Sequence, residues 1–400
     1  MFPRISDLVN YLMGCRLDLP FQTYGFMLAL AFLAGGMVLR SELKRKEREG
    51  RLPARVRQTD SGRALFLLRM LLQGTIVSLM AWKIAGIIQH YSRFASSPSM
   101  YIFSPEGSLV ALVASALFYL ALTVYRLRAN RYRKTTPEET VHPYQHTWSI
   151  LIVALCAALA GSKLFDIFDH PDVFLRNPMH SLLSFNGFAF YGGLLVTVAT
   201  LILYMRVIRL DWKEVIDSTA PAILIGYAVG RMGCHLSGDG CWGIPNPAPL
   251  PEALSWLPGW LWSCSYPHNV INAGIAIPGC NGPHCMVLPQ PVFPTSLYES
   301  FLSAIFFGFL WFLRKRIKAS VVLFGLFLIL SGTERLFIEQ IRVNLRFGVP
   351  GLRVTQAEVI SVLLILAGAL VIRIFLNRGQ NKANQGEPED NQAMNKIQSG

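Results

Sequence analysis

Charged residues are scarce in this sequence. They make up 15% of its 400 residues, against about 25% in an average soluble globular chain, so a water-facing surface of this size would be short of charge. Apolar residues make up 52% and lie in long segments. This composition excludes a disordered chain, a collagen-like repeat and a small disulfide-stapled secreted domain. It predicts an integral membrane protein with several spans.

Acidic residues are particularly few. The chain has 24 of them against 37 Lys and Arg, which gives a net charge of +13. A basic balance can indicate nucleic-acid binding when the cations form a patch on a folded, soluble surface. Here the basic residues lie in short segments between apolar ones. The charge therefore indicates membrane topology and no nucleic-acid partner.

Nine segments are candidate transmembrane helices, each close to the length of about 20 residues that a bilayer requires. They cover residues 22–39, 64–88, 107–125, 147–165, 187–205, 218–236, 297–313, 320–340 and 357–376. With the N-terminus outside, the predicted cytoplasmic segments hold 25 of the 37 basic residues but 12 of the 24 acidic ones. The whole net charge is then on the inner side, as the positive-inside rule requires. We expect an all-α, polytopic bundle of about nine spans, N-out and C-in.

The segments outside the predicted spans have distinct compositions. No dense basic run precedes the first apolar segment, unlike a cleavable signal peptide. Residues 237–296 are rich in Pro, Gly and Trp, and we expect them to form a periplasmic cap at the headgroup level through Trp256, Trp260 and Trp262. Residues 377–400 are rich in Asn, Gln and Glu, which predicts a disordered cytoplasmic tail.

Four of the seven cysteines lie in this predicted cap: Cys241, Cys264, Cys280 and Cys285. The compartment they face is oxidising if the predicted orientation holds. The spacing allows a disulfide between Cys280 and Cys285, or one that includes Cys264, but pairing cannot be deduced from sequence. A zinc site at His268, His284 and Cys285 is a weaker alternative, because the spacing matches no recognised zinc motif.

Ionisable residues inside predicted spans mark candidate functional sites, because a charge at bilayer depth is costly unless it is paired or hydrated. In the eighth span, SGTERLFIEQIRVN places Arg335, Glu339 and Arg342 on one helical face. These residues either form a structural ion pair at the outer interface or hold a guanidinium toward a lipid phosphate. The residues alone leave both interpretations open.

A second cationic site is indicated where the sixth span ends, in GYAVGRMGCHLSGDGCWG. Its glycines allow another helix or a ligand to approach the backbone closely. Arg231 lies one turn before Cys234 and His235, and the GDG sequence ends the helix and places Asp239 at the rim. The structural alternative is a snorkelling arginine beside a glycine-packed helix.

Further polar residues are expected at the same outer depth. They are Lys163 at the end of the fourth span, Tyr191, Gly192 and Gly193 at the start of the fifth, and Tyr298 and Glu299 at the start of the seventh. The tyrosine before the two glycines is either an interfacial aromatic or a phenol that faces a polar cavity. A cationic and tyrosyl set at one leaflet fits an anionic lipid headgroup better than a transported ion.

These motifs, in this order, resemble those of the prolipoprotein diacylglyceryl transferases. The similar stretches are GRMGCHLSGDGCWG, NGFAFYGGLL, FPTSLYE, GTERLFIEQIR, which has an Arg-x-x-x-Glu-x-x-Arg pattern, and TYG at residues 23–25. The resemblance covers residues 1–40 and 147–376. Within a transferase-like membrane domain of residues 1–376, residues 41–146, with two extra spans, therefore look like an insertion.

The resemblance implies a reaction and a set of site residues. The reaction moves a diacylglyceryl group from phosphatidylglycerol to the lipobox cysteine thiol of a prolipoprotein signal peptide and releases glycerol phosphate, without cofactor or metal. It implies a multi-pass protein of the bacterial inner membrane, with its active site toward the periplasmic leaflet. Tyr191, Arg231, His235 and Arg335 would be catalytic. Substrates would be bound by Tyr24, Lys163, Gly192, Gly193, Asp239, His268, Tyr298, Glu299, Glu339 and Arg342.

Several positions depart from the family pattern. The replacements are Tyr191 for a histidine, Cys234 for an asparagine, Lys163 for an arginine, Phe293 for a histidine and Ser296 for a glutamine. A tyrosine with a pKa of about 10 is a poor base at neutral pH, so the proton acceptor stays open between Tyr191, His235 and His268. Two alternative functions also stay open: a lipid transferase with another acceptor, and a non-catalytic lipid-binding or transport protein. The lack of an internal repeat disfavours a transporter.

Overall fold

The computed structural model describes residues 1–14, 17, 19, 21–58, 63–96, 101, 104–131, 138–178, 181, 190–343, 346–349 and 352–385. In this part of the chain, the helices are α1 (Ile5–Met13), α2 (Thr23–Arg48), α3 (Arg63–Gln89), α4 (Tyr91–Ser96), α5 (Leu109–Arg131), α6 (Thr147–Asp169), α7 (Pro171–Arg176), α8 (Phe190–Val207), α9 (Trp212–Ser237), α10 (Gly259–Trp262), α11 (Thr295–Leu313), α12 (Val322–Glu339) and α13 (Gln356–Gln385). Short strands form three antiparallel pairs: β1 (Arg55–Gln58) with β2 (Glu138–Val141), β3 (Ile275–Ala276) with β4 (Met286–Val287), and β5 (Arg346–Val349) with β6 (Leu352–Thr355).

The chain is mostly helical, and six of its described helical stretches are long and apolar enough to cross a membrane. They are Thr23–Arg48, Met70–Gln89, Leu109–Arg128, Pro143–Asp169, Thr295–Leu313 and Gln356–Asn377. The predicted polytopic helix bundle is confirmed, with the three strand pairs added to the all-α prediction. Helices α8, α9 and α12 coincide with the other three predicted spans. They are shorter or more polar, so a total of nine spans stays a prediction.

The outer helical faces are apolar. In α13, for example, Leu363, Leu366 and Leu370 are each about 60% exposed. Large apolar side chains on such continuous exposed faces are unfavourable in water and are satisfied by lipid. This helix continues to Gln385, so the region from residue 377 begins as helix, and residues 386–400 lie outside the described residues.

The described chain divides into two compact units. The larger contains residues 1–3, 22–53 and 142–400, and the smaller contains residues 4–21 and 54–141. In the smaller unit, α3 packs against α5, and β1 pairs with β2. The larger unit carries the predicted site residues.

Helix α9 is the central element of the larger unit and packs against α2, α11 and α12. Glycines bring the α2 and α9 backbones together, as the sequence predicts. A Cβ atom at Gly35 would lie 3.0 Å from the Ala222 carbonyl oxygen, and one at Gly233 would lie 2.7 Å from the Met27 Cβ. Larger side chains at these positions would separate the two helices.

A buried ion cluster joins α2 to the start of α9. The fully buried Lys46 ammonium lies 3.0 Å from a Glu214 oxygen and 3.4 Å from an Asp217 oxygen. The Asp217 carboxylate also accepts a hydrogen bond of 3.0 Å from the Phe324 N–H of α12. The sequence does not indicate this cluster, because the first predicted span ends at residue 39, whereas α2 continues to Arg48.

A cap of residues 238–294 lies over the other end of α9. Its backbone pairs with the chain that follows α12, where the Ile244 N–H donates to the Ile341 carbonyl over 2.8 Å. The N-terminus joins the same end, since the Met1 ammonium donates to the Pro267 carbonyl over 2.8 Å. In the cap, Trp256 is 76% exposed and Trp260 is 52% exposed. These exposed indoles fit the predicted position at a membrane interface.

Candidate active site

Glu299 is the centre of a buried charge cluster beneath this cap, and its side chain is only 1% exposed. Three arginines pair with its carboxylate. Arg231 Nη2 pairs with Oε2, while Arg335 Nη1 lies 3.5 Å and Arg342 Nη1 lies 3.2 Å from Oε1. The two arginine motifs that the sequence singles out, on α9 and α12, therefore meet at one carboxylate of α11.

The first turns of α11 hold Glu299 in this position. The helix begins after Pro294, and the Thr295 hydroxyl donates to the Cys241 carbonyl over 3.0 Å. One residue after the glutamate, the Ser300 hydroxyl donates to the Ala228 carbonyl of α9 over 2.7 Å. These two hydrogen bonds fix the rotation of α11 against α9 and aim the carboxylate at the arginine of α9.

The end of α12 supplies the other arginines. Arg335 Nη2 lies 3.1 Å from a Glu339 oxygen one helical turn later, as the i, i+4 spacing predicts. Arg342 follows the last helical residues, and its backbone forms a β-bridge with Gly243 of the cap. The ion pair of the first interpretation is therefore present between Arg335 and Glu339, and the orientation of a guanidinium toward a lipid phosphate stays a prediction.

Arg231 has neighbours that the sequence does not reveal. Its guanidinium lies 5.5 Å from the centre of the Tyr227 ring, and its Nη1 lies 3.9 Å from the Cys234 sulfur. Its Nε is buried and has no hydrogen-bond partner among the described residues. The charges of Arg231 and Arg335 also act on the buried carboxylate of Glu334. This carboxylate lies within 3.0 Å of the Ser303 hydroxyl. The spacing of four residues between Glu299 and Ser303 is the only sequence signal for this serine.

A thiol–carboxylate group adjoins Arg231. The Cys234 and Cys241 sulfurs and a carboxylate oxygen of Asp239 all lie within 4.8 Å of one another. By donor type and spacing, these three side chains are a candidate metal-ligand set within the described residues, although structural zinc sites use four protein ligands. Tyr24 lies nearby, because a Cβ atom at Gly233 would be 3.8 Å from its ring.

Three predicted site residues are engaged in the cap. His235 Nδ1 lies 3.1 Å from the Tyr266 hydroxyl, and the two rings meet edge to face. His268 is exposed and its Nδ1 donates to the His284 carbonyl over 2.8 Å, while the Tyr298 hydroxyl donates to the Leu261 carbonyl over 2.6 Å. Burial raises the pKa of Tyr266, which keeps this phenol protonated. These contacts support the cap rather than the arginine cluster.

The predicted residues of the fourth and fifth spans lie where α6 packs on α8. A Cβ atom at Gly192 would lie 2.3 Å from the Phe165 side chain, and one at Gly193 would lie 2.2 Å from the Ser162 hydroxyl. The two glycines therefore let α6 and α8 pack closely, and their role in substrate binding stays a prediction. Lys163 Nζ lies 3.8 Å from Asp166 on its own helix. The side chain of Tyr191 lies outside the described part of the structure.

The cap contains one disulfide among its described residues, between Cys280 and Cys285, whose Cα atoms are 5.6 Å apart. This resolves the alternatives left open by the spacing, and Cys264 carries a free thiol. The weaker zinc alternative is wrong, because the Cys285 sulfur is bonded to Cys280 and the described Nδ1 contact of His268 is with a backbone carbonyl.

Fold and site together define a class: a multi-pass membrane helix bundle in which partly buried arginines and buried carboxylates gather beneath a cap. The sequence model of the prolipoprotein diacylglyceryl transferase family matches residues 108–374. This range is more than half of the chain, and the protein belongs to that family. The match begins within residues 41–146 and includes α5, so it covers part of the stretch interpreted as an insertion.

Relatives of this chain include three enzymes named phosphatidylglycerol–prolipoprotein diacylglyceryl transferase. The Leptospira interrogans enzyme is 28% identical over 235 residues, 53% of this chain and 66% of the relative, so the chain spans slightly under two thirds of its length. The Chlorobaculum tepidum enzyme is 26% identical over 314 residues, 73% of this chain and 94% of the relative. The Ralstonia pickettii enzyme is 25% identical over 289 residues, 67% of this chain and 91% of the relative.

Proposed function

We propose that this protein transfers a diacylglyceryl group from phosphatidylglycerol to the lipobox cysteine thiol of prolipoprotein signal peptides and releases glycerol phosphate. Family membership and the names of the relatives support the reaction. The structural observation that carries the proposal is the convergence of Arg231, Arg335 and Arg342 on Glu299.

The arginine cluster has more hydrogen-bond donors than its carboxylates can accept. Each guanidinium carries five N–H donors, whereas a carboxylate has two oxygens with about four acceptor positions. Glu299 and Glu339 therefore cannot accept from all of these N–H groups, and the buried Nε of Arg231 is one donor that they leave without an acceptor. A phosphodiester supplies the missing acceptors, and the planar guanidinium matches its oxygens in pairs.

The same arginines suit the chemistry of the transfer. The sulfur of the acceptor thiolate attacks the glycerol carbon that carries the phosphate, and the carbon–oxygen bond breaks. The leaving glycerol phosphate gains negative charge, which fixed guanidinium groups stabilise in a low-dielectric site. Glu299 holds the arginines against their mutual repulsion. The thiol proton passes to a base, for which Tyr191, His235 and His268 stay the candidates.

We place the site at the periplasmic leaflet of the bacterial inner membrane, in a bundle of nine spans. The N-terminus, the C-terminal end of α9 and the cap lie at one end of the larger unit, since Met1 donates to Pro267 and Phe2 to Leu236. A single outward end for these elements agrees with the N-out topology drawn from the positive-inside rule. The exposed cap tryptophans support an interfacial position.

The test is turnover of labelled phosphatidylglycerol with a lipobox peptide by the purified full-length protein. We expect glycerol phosphate release, and a loss of about 100-fold to 1000-fold in Arg231→Lys and Arg335→Lys, because a lysine cannot replace a bidentate guanidinium. Arg206→Lys, at an exposed arginine at the end of α8, is the matched control and should keep full turnover.

Other outcomes would select the alternatives. Binding of phosphatidylglycerol without release of glycerol phosphate would favour the non-catalytic lipid-binding protein. Release with a small thiol but not with a lipobox peptide would favour another acceptor. Full turnover in both arginine variants would exclude the assigned site.

A further inference from the structure

We propose that Cys234 and Cys241 form a reversible dithiol–disulfide pair beside the arginine cluster, which makes this edge of the site sensitive to redox state. The inference goes beyond diacylglyceryl transfer, and its chemistry does not require that reaction. Both thiols are free in the structure.

The backbone between the two cysteines returns the chain over the end of α9. Cys234 lies in the last turn of that helix and is 6% exposed. The helix closes with the Gly238 N–H donating to the Cys234 carbonyl over 3.0 Å. Gly238 and Gly240 have φ of 66° and 95°, a left-handed conformation that suits glycine. This turn brings the two sulfurs within 4.8 Å of one another.

The electrostatic surroundings favour a reactive thiolate. Hydrogen bonding with Cys234 lowers the pKa of Cys241 to about 7, and the Arg231 charge acts in the same direction, against burial and the Asp239 charge. Arg231 also lies 3.9 Å from the Cys234 sulfur. A cysteine with a pKa near ambient pH is present in part as the thiolate, the form that attacks disulfides.

The contacts favour a disulfide over a bound metal ion. The set offers three donors, and its Asp239 Oδ1 already accepts the Cys241 N–H over 3.0 Å. The Arg231 guanidinium beside Cys234 repels a second cation. His235 is the nearest imidazole in sequence, and its Nδ1 lies 3.1 Å from the Tyr266 hydroxyl. The cap also contains the Cys280–Cys285 disulfide.

The oxidation is a two-electron thiol–disulfide exchange. The Cys241 thiolate attacks a low-molecular-weight or protein disulfide, forms a mixed disulfide and displaces one thiolate. Cys234 then attacks the Cys241 sulfur and displaces the second thiolate. The two cysteine sulfurs lose two electrons, the oxidant gains them, and the two thiol protons end on the released thiols. Oxidation removes the thiol contact of Arg231 and so alters the hydrogen bonding of the arginine cluster.

The pair is tested on the full-length protein in detergent micelles, equilibrated with oxidised and reduced glutathione at a series of ratios. Remaining thiols are blocked with N-ethylmaleimide, and the peptides are identified by mass spectrometry. We expect a Cys234–Cys241 cross-link, two hydrogens lighter than the dithiol, whose fraction rises with the oxidised ratio and falls again on reduction. Cys264→Ser should give the same curve, and Cys241→Ser should leave Cys234 open to alkylation.

Three results would overturn the proposal. Complete alkylation of both thiols at every ratio would show that they do not pair. A cross-link of either cysteine to Cys264 would show a different partner. One equivalent of zinc retained by the purified protein, with protection of both thiols until a chelator is added, would assign the group to a metal. Because the readout is the peptide mass, a protein without transferase activity can still pass or fail it.

Discussion

The buried carboxylate of Glu299 permits a quantitative test of the arginine cluster. Glu299→Gln keeps the size of the side chain and removes its charge, leaving three guanidinium groups around a neutral amide. At an effective dielectric constant of about 20, one ion pair near 4 Å is worth about 4 kcal/mol of Coulomb attraction. Desolvation offsets much of this, and removal of one partner from a buried pair costs about 3–5 kcal/mol in practice.

We therefore expect Glu299→Gln to lower the free energy of unfolding by about 3–5 kcal/mol. Glu299→Asp retains the charge on a shorter side chain and should lose less. The assay is denaturant unfolding of the full-length protein in mixed micelles, followed by fluorescence of its eight tryptophans. Glu252→Gln, at an exposed acid of the cap, is the control for loss of one negative charge.

The reasoning is refuted if Glu299→Gln unfolds at the same denaturant concentration as the wild type and Glu252→Gln. A loss that is equally large in Glu299→Asp would also contradict it, because that result would assign the effect to side-chain shape. Turnover gives a second readout. Glu299→Gln should lose activity as Arg231→Lys does, since both changes disturb the guanidinium of Arg231.

Three further predictions concern other parts of the larger unit. Gly233→Ala should destabilise the protein by about 1–3 kcal/mol, because its Cβ would lie 2.7 Å from the Met27 side chain. Gly230→Ala should stabilise the protein by up to about 1 kcal/mol, because no atom lies within 4 Å of its Cβ. Denaturant unfolding of the two variants measures the difference. Lys46→Met should cost about 3–5 kcal/mol in the same assay, because it removes a buried ammonium from the Glu214 and Asp217 carboxylates and leaves Glu214 with Arg51. Equal stability would show that this cluster contributes little. Alkylation of Cys241 should accelerate as pH rises through about 7, because Cys234 and Arg231 lower its pKa. Burial raises the pKa of Cys264 and delays its reaction to higher pH. Identical pH profiles for the two thiols would contradict this assignment.

Much of the architecture follows from the sequence, because the bilayer imposes simple rules. Apolar length sets candidate spans, so the predicted segments coincide with α2, α3, α5, α6, α8, α9, α11, α12 and α13. Ionisable groups within apolar segments mark functional candidates, and Arg231, Glu299, Arg335 and Arg342 do lie together. The short strand pairs escape prediction because each involves only two to four residues per strand.

Local sequence does not reveal which distant groups meet. Gly192 and Gly193 belong to a motif with a predicted role in substrate binding, and the structure adds that α6 packs closely against them. His235 and His268 look like candidate bases, and the cap folds so that their described contacts are with Tyr266 and His284. In each case, the decisive contact comes from a segment that the motif does not contain.

The sequence by itself determined the class of protein, its helical segments and its family resemblance, since these depend on local composition and spacing. Only the tertiary structure decided that three arginines share Glu299, that Lys46 is buried between two carboxylates, and that Cys280 pairs with Cys285. The physical reason is that ion pairs and disulfides act over a few ångströms. Their partners are therefore set by how the helices and the cap pack, and not by distance along the chain.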